Sequence, residues 1–383
     1  MEDYPAGDRF ANAFVSYIVY IGKMIWPDNL AVYYPYPGLQ PFWQILGAVF
    51  IFFAVILMVI WTAKRFPYLA VGWLWYVGTL VPVIGFVQVG SHAMADRYTY
   101  IPLIGLFIMA AWSVPELLKG WRFRKEALLL ASVLSLSCLF MVTWTQVGYW
   151  RNSLTLFEHA FKVTDPDSTV YKNRGSAYAS IGNYRQAIDD LNKAIELSPK
   201  NADALNIRAG VYVGLGSYQK ANEDLNKAIE LKPKYAIAYN NRAGVHVNLD
   251  NYKLAIEDCD QAIELNPEYA QAYHNRGNAY ANLGNNKRAV EDLDKAIELN
   301  PKYAEAYNNR GNGYARLGQY KQAIEDYGTA LEVNPKYAVA YNNRAAAYLS
   351  LRNYRQAVED LKTAARLGNE NAQKSLKSQD MSW

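Results

Sequence analysis

Two rows of chemically capable residues recur at a fixed interval in the second half of this 383-residue chain. Asparagine stands at Asn173, Asn241, Asn275, Asn309 and Asn343, and Ile207 breaks the row once. A primary amide offers a donor on one side and an acceptor on the other. Such a row can pair with successive peptide groups of an extended ligand, whatever its side chains. One residue further on, arginine recurs without interruption, as Arg174, Arg208, Arg242, Arg276, Arg310 and Arg344. Aspartate keeps step with it, as Asp190, Asp224, Asp258, Asp292, Asp326 and Asp360. That co-repeat predicts one ion pair between helices in every unit. A third cluster, His92, Asp96, Arg97 and Tyr98, lies in the first half at the edge of an apolar run. Charge there is costly unless solvated or paired. Either Arg97 holds a lipid-linked phosphate with Asp96 orienting it or a bound metal, or Asp96 and Arg97 form an interfacial ion pair. His92 has no companions at metal-ligand spacing, so no zinc site is expected and no metal ligand is assigned.

The elements that must position the periodic rows follow from the same interval. Pro199, Pro233, Pro267, Pro301 and Pro335 succeed one another at 34 residues, and each ends a helix that it cannot continue. With proline at position 32, a small residue falls at position 8 (Gly175, Ala209, Ala243, Gly277, Gly311, Ala345) and alanine at positions 20 and 27 in all six units. Bulky residues such as Tyr171, Tyr178 and Leu191 fall at positions 4, 11 and 24. Small residues let helices approach and large ones fill the space between them. The pattern is identified as that of the tetratricopeptide repeat, TPR, a helix pair that stacks into an α-solenoid.

The repeats are expected at 168–201, 202–235, 236–269, 270–303, 304–337 and 338–369. The asparagine row then falls at position 6, on the first-helix face expected to line a groove, although asparagine at this position is also common in ordinary TPRs. The carboxylate clamp found in other TPR proteins is disfavoured. Lys172 fits it, but Ser176, Ile207 and Ile237 do not. Residues 150–167 repeat the second-helix spacing through Phe157 and Ala160 and read as a capping half-repeat, and 370–383 as a terminal cap and tail.

The first half is unlike the second. Apolar runs at 42–63, 68–89, 100–118 and 127–147 are long enough to cross a bilayer as helices, and 10–26 reads as an interfacial or re-entrant helix or a fifth span. Residues 1–148 are therefore expected to form a membrane domain. Lys64 and Arg65 lie in one connection, and Lys119, Arg122, Arg124 and Lys125 in another. The positive-inside rule makes both cytoplasmic, which puts the repeats on the extracytoplasmic face.

No basic leader opens the chain, whose first residues are MEDYPAGDR. Cys138 and Cys259 fall in different halves and predict no disulfide. The net charge of +4 and the interleaving of acid and base exclude a nucleic-acid surface. The lack of an Asn-x-Ser/Thr sequon fits a bacterial inner membrane and periplasm better than an endoplasmic reticulum lumen.

Four segments carry a further resemblance: SYIVYIGKMIWPDNLAVYYPYPG at 16–38, GWLWYVGTLVPVIGFVQVG at 72–90, ADRYTYIPLIGLF at 95–107 and WRNSLTLFEHA at 150–160. With the repeats attached, the chain resembles the membrane-embedded, TPR-containing glycosyltransferases of GT-C type, including the transmembrane and TPR O-mannosyltransferases. The resemblance implies sugar transfer from a polyprenyl-phosphate donor outside the membrane, with the repeats recruiting the acceptor. Such enzymes carry their catalytic aspartate in a first outer loop, and this chain is expected to begin after that loop. By itself it is then not a competent transferase, and no catalytic residue is assigned.

The expectation is an all-α protein, a multi-span helical membrane domain followed by a TPR solenoid. It requires no cofactor. Its partners are a protein or extended peptide in the groove and membrane lipid, with a polyprenyl-phosphate sugar as a candidate at His92, Asp96 and Arg97.

Overall fold

The computed structural model describes residues 5–27, 30–31, 34–35, 40–82, 92–94, 100–379 and 381–383. Among the described residues there are nineteen helices and one two-stranded antiparallel ladder, and the chain divides into two compact units, Met1–Ser198 and Pro199–Trp383.

In the first unit, α1 (Ala6–Ile25) packs on α2 (Phe42–Thr62), which ends where Lys64 and Arg65 interrupt the apolar run. Pro67 then opens α3 (Pro67–Leu80), a position where its missing N–H costs nothing. The remainder of the expected second span, from residue 83, lies outside the described residues. Strand β1 (Tyr34–Pro35) pairs with β2 (His92–Met94), and α4 (Tyr100–Leu117) packs along α3.

The 10–26 segment is thus a helix docked on its neighbours. Ala13, Tyr17 and Tyr20 share one buried cluster with Phe52, Val59, Trp73, Tyr76, Leu80 and Leu106. The tyrosines bury their rings and keep their hydroxyls bonded. Tyr76 donates to the Tyr17 carbonyl at 2.6 Å, and Tyr17 donates to the Val77 carbonyl at 2.9 Å. Helices α3 and α4 touch backbone to backbone at Gly72 and Gly105. A Cβ on either glycine would collide with the other's carbonyl oxygen. Small residues at a helix crossing are the usual means of close packing in a lipid environment.

Helix α5 (Arg124–Tyr149) differs from its predecessors, because none of its residues is buried. After Trp150 the chain turns into α6 (Ser153–Val163), started by a capping box in which Asn152 accepts from the Thr155 N–H. Helix α6 packs on α7 (Ser168–Ser180) as a further second helix would. Phe161 meets Tyr171 edge to face and lies under the Arg174 guanidinium at 3.6 Å, and Tyr178 donates to Glu158 at 3.0 Å. Helix α7 pairs in turn with α8 (Tyr184–Leu197) as the first repeat.

The second unit contains five further pairs: α9 (Ala202–Gly214) with α10 (Tyr218–Leu231), α11 (Ala236–Asn248) with α12 (Tyr252–Leu265), α13 (Ala270–Asn282) with α14 (Asn286–Leu299), α15 (Ala304–Arg316) with α16 (Tyr320–Val333), and α17 (Ala338–Ser350) with α18 (Tyr354–Arg366). The reversal between the helices of a pair requires one left-handed residue. Glycine supplies it at Gly216, Gly284 and Gly318, while Asp250 and Arg352 adopt φ 59° with a side chain.

Alanines at positions 20 and 27 are fully buried in every pair, and the aspartates at position 23 are buried beside them. Helix α19 (Glu370–Lys377), capped by Asn369, lays Ala372 and Leu376 on Ala357, Leu361, Ala364 and Ala365, and so covers the apolar edge of the last pair.

Candidate binding face of the repeat helices

Each predicted ion pair is present, and each is bidentate. Nε and Nη2 of the arginine reach the two carboxylate oxygens of the aspartate at 2.5–2.8 Å: Arg208 with Asp224, Arg242 with Asp258, Arg276 with Asp292, Arg310 with Asp326 and Arg344 with Asp360. In the first unit Arg174 holds Asp190 in the same way. The hydrogen bond each guanidinium donates to its aspartate raises the pKa of every one of these arginines. Burial lifts the Asp292 and Asp326 carboxyls above their ordinary range despite the guanidinium. A third donor reaches back one repeat where an acceptor is present. Arg276 Nη1 meets Asp260 at 2.5 Å, Arg310 meets Asp294 at 2.7 Å and Arg242 meets the Asn226 amide at 2.8 Å.

The asparagine row is half-buried and is tied into the protein through its nitrogen. Asn241 donates to Asn206 at 2.9 Å, Asn275 to Asn240 at 2.9 Å and Asn343 to Asn308 at 3.0 Å. Asn309 completes the series, its amide nitrogen 2.9 Å from His274 Nε2. Position 6 of one first helix therefore clips onto position 5 of the one before. The Asn309 oxygen in turn accepts from Asn308 at 3.1 Å.

The acceptor row, Asn206, Asn240, His274 and Asn308, escaped the reading of the sequence. Its signal was there, a second polar register with the same period directly before the first. Asn173 lies half-buried on α7 in the first unit. Of the other candidate cluster, His92 is placed by its backbone in β2, and Asp96 and Arg97 lie outside the described residues. Among the described residues there is no group of metal-ligating side chains, and Cys138 and Cys259 are both free.

The geometry defines a helical repeat protein, built from pairs of helices locked by a buried ion pair and clipped to one another by amides. Family models described as tetratricopeptide repeats match residues 168–201, 236–269 and 304–337, 202–235, and 259–291 and 327–359, and a model described as TPR repeat matches 277–318. The chain is a TPR repeat protein.

Solved structures share the fold. A chain of the APC/C heterotetramer Cut9–Hcn1 is 20% identical with a TM-score of 0.52, the match covering 55% of this chain and 42% of that one. The type IV pilus biogenesis factor PilW is 23% identical with a TM-score of 0.51, covering 55% of this chain and 98% of its own. A TPR protein from Parabacteroides merdae is 22% identical with a TM-score of 0.50, covering 63% and 97%. At these identities the likeness speaks for the fold alone. No curated protein matches the chain at a significant level.

One repeat departs from the others at position 11. Tyr212, Tyr280, Tyr314 and Tyr348 occupy it elsewhere in the second unit, but the third repeat has His246, buried and 3.7 Å from Asp258. Burial lowers its pKa from the ordinary 6.5; Asp258 and Glu257 oppose that shift and Arg242 adds to it. Burial lowers the pKa of His274 as well. A histidine whose folded pKa is depressed supports the fold fully above its unfolded value of about 6.5, and that support is lost as pH falls through the folded value. The melting temperature of the array is therefore expected to drop between pH 7.5 and 5.5. The His246→Tyr variant should show a smaller drop, with the His274 contribution remaining. An unchanged pH dependence in that variant would rule out the assignment.

Proposed function

We propose that this chain is a membrane-anchored protein whose TPR array, outside the cytoplasm, binds an extended segment of a protein partner. Protein–protein interaction is the function class of such repeats, so the finer statement concerns the place and the mode. The carrying observation is α5. Twenty-six residues, apolar after the first turn and without a buried position, lead through a single turn into the helix that caps the repeats. An apolar helix with no buried residue is unstable in water and at home in lipid. Helices α2 and α4 are also long and apolar enough to cross a membrane.

The basic residues Lys64, Arg65, Lys119, Arg122, Arg124 and Lys125 support a cytoplasmic position for the two connections that carry them, and an outer position for everything after Tyr149. The amide oxygens of Asn241, Asn275 and Asn343 support the mode, since an extended backbone presents N–H groups at its edge.

A reporter that is active only outside the cytoplasm, fused after Trp383, should be active in cells. A fusion active only as a cytoplasmic reporter would exclude this orientation.

A second reading is favoured by the way the resembling segments meet. Tyr17 bonds the Val77 carbonyl and Tyr76 the Tyr17 carbonyl, while His159 Nε2 approaches the Leu30 carbonyl at 3.0 Å. Three of the four segments that resemble the GT-C enzymes are thus joined within one unit. This supports the reading that the chain is the C-terminal part of a polyprenyl-phosphate-sugar-dependent glycosyltransferase whose repeats recruit the acceptor, with His92, Asp96 and Arg97 at the lipid phosphate. A photoreactive polyprenyl phosphate should then label the full chain in nanodiscs, and Arg97→Ala should remove most of the label. Labelling indifferent to that substitution would exclude the site.

A further inference from the structure

The fifth repeat carries a tyrosine where the other repeats of the second unit have Leu225, Cys259, Leu293 and Leu361. Tyr327 is buried, and its hydroxyl crosses to the first helix of its own pair, donating to Asn312 Oδ1 at 2.7 Å. The ring fits because residue 311 is glycine. A Cβ there would lie 2.7 Å from a ring carbon. With its oxygen engaged by Tyr327, the Asn312 amide is held in one orientation and its nitrogen is left to donate.

One turn further along α15 stands Arg316. Its Nη1 donates to the Ala281 carbonyl in the last turn of α13 at 2.6 Å, which fixes the side chain across the two first helices. A guanidinium has five N–H donors, so most of its capacity is unspent. Among the described residues no carboxylate lies within ion-pair distance of it, unlike the arginines at position 7.

Between α15 and α17 these groups border a hollow of about 330 Å³, closed further by Tyr320, Asn343 and Ser350. It holds a fixed cation and the Asn312 amide donor, no carboxylate lines it, and the Tyr327 ring forms part of its wall. A volume of this size takes a side chain. A planar carboxylate is the group that an arginine fork and a neighbouring amide bind best.

We propose that this hollow is the subsite for one internal aspartate or glutamate side chain of an extended peptide partner lying along α13, α15 and α17. The proposal rests on the peptide-binding reading above and gives it a chemical requirement, one acid at one place in an otherwise backbone-read segment. Because the asparagines of the row, Asn275, Asn309 and Asn343, are neutral amides, the acid supplies register, as a single charge in a uniform row can.

The test is selection of a random twelve-residue peptide display library on the full chain in nanodiscs, run in parallel on Arg316→Gln, which retains an amide donor for the Ala281 carbonyl without the charge. Equal melting temperatures of the two proteins serve as the folding control. Binders of the parent chain should share one internal Asp or Glu, and synthetic copies with amidated ends should bind as tightly as free acids. Exchanging that residue for its amide should weaken binding about ten-fold, and the Arg316→Gln chain should not distinguish the two. Binders without an acid, or a preference for acid that survives Arg316→Gln, would overturn the subsite and leave peptide binding standing. Recognition that vanishes on amidation would assign the hollow to a chain terminus and likewise overturn it. A library yielding no binder would sink both readings.

Discussion

A buried guanidinium–carboxylate pair sits in the interface of every helix pair of the array, and the rest of the repeat is arranged to tolerate it. Both ends of Arg310 and Asp326 are largely removed from water, with side-chain exposures of 19% and 8%. A single charge left there would cost several kcal/mol, about 3–5 kcal/mol when one partner of such a pair is removed. The bidentate geometry and the small residues at positions 8, 20 and 27 answer that cost, because they bring the backbones close enough for the fork to meet both oxygens. Tyrosine rings add to it. Arg310 lies 5.4 Å from the Tyr307 ring centroid and Arg344 5.6 Å from that of Tyr341. A pair that functions only at one helix spacing also selects that spacing against others.

Once each pair is rigid, its first helix becomes a fixed ruler for the next. The amide clip from position 6 to position 5 of the preceding repeat joins neighbours polar group to polar group, and the third donor of Arg276 and Arg310 ties each first helix to the second helix of the repeat before it. Alanines alone would let neighbouring repeats slide. Hydrogen bonds at fixed registers set their rotation, and with it the spacing of the amide oxygens presented to a partner. In this way the unit that provides stability also sets the spacing of the recognition face.

Much of this was legible in the sequence, because a period repeated six times averages away local ambiguity. The helix pairs, the small and large core registers and the arginine–aspartate pair follow from residues a fixed distance apart inside one unit. What lies between units was less legible. That Asn275 would give its nitrogen to Asn240, and that Arg316 would reach Ala281, depends on the rotation of one repeat on the next, which no local spacing specifies. The Tyr327 hollow was hidden for a similar reason: tyrosine at a core register reads as packing until the glycine at 311 and the amide at 312 are seen beside it. In the first half, hydropathy marked the apolar runs. It could not show that α1 docks through reciprocal tyrosine hydrogen bonds, nor that α5 stands without a buried residue.

The central claim is that the buried pair acts as a unit, its members costly apart and replaceable together. Urea unfolding of the array in the full chain, with Arg310→Met, Asp326→Leu and the double variant, tests it most directly. Each single substitution should lower stability by about 3 kcal/mol, and the double variant should recover most of that loss, a coupling of at least about 2 kcal/mol. Additive losses, with the double variant as unstable as the two single effects combined, would contradict the account.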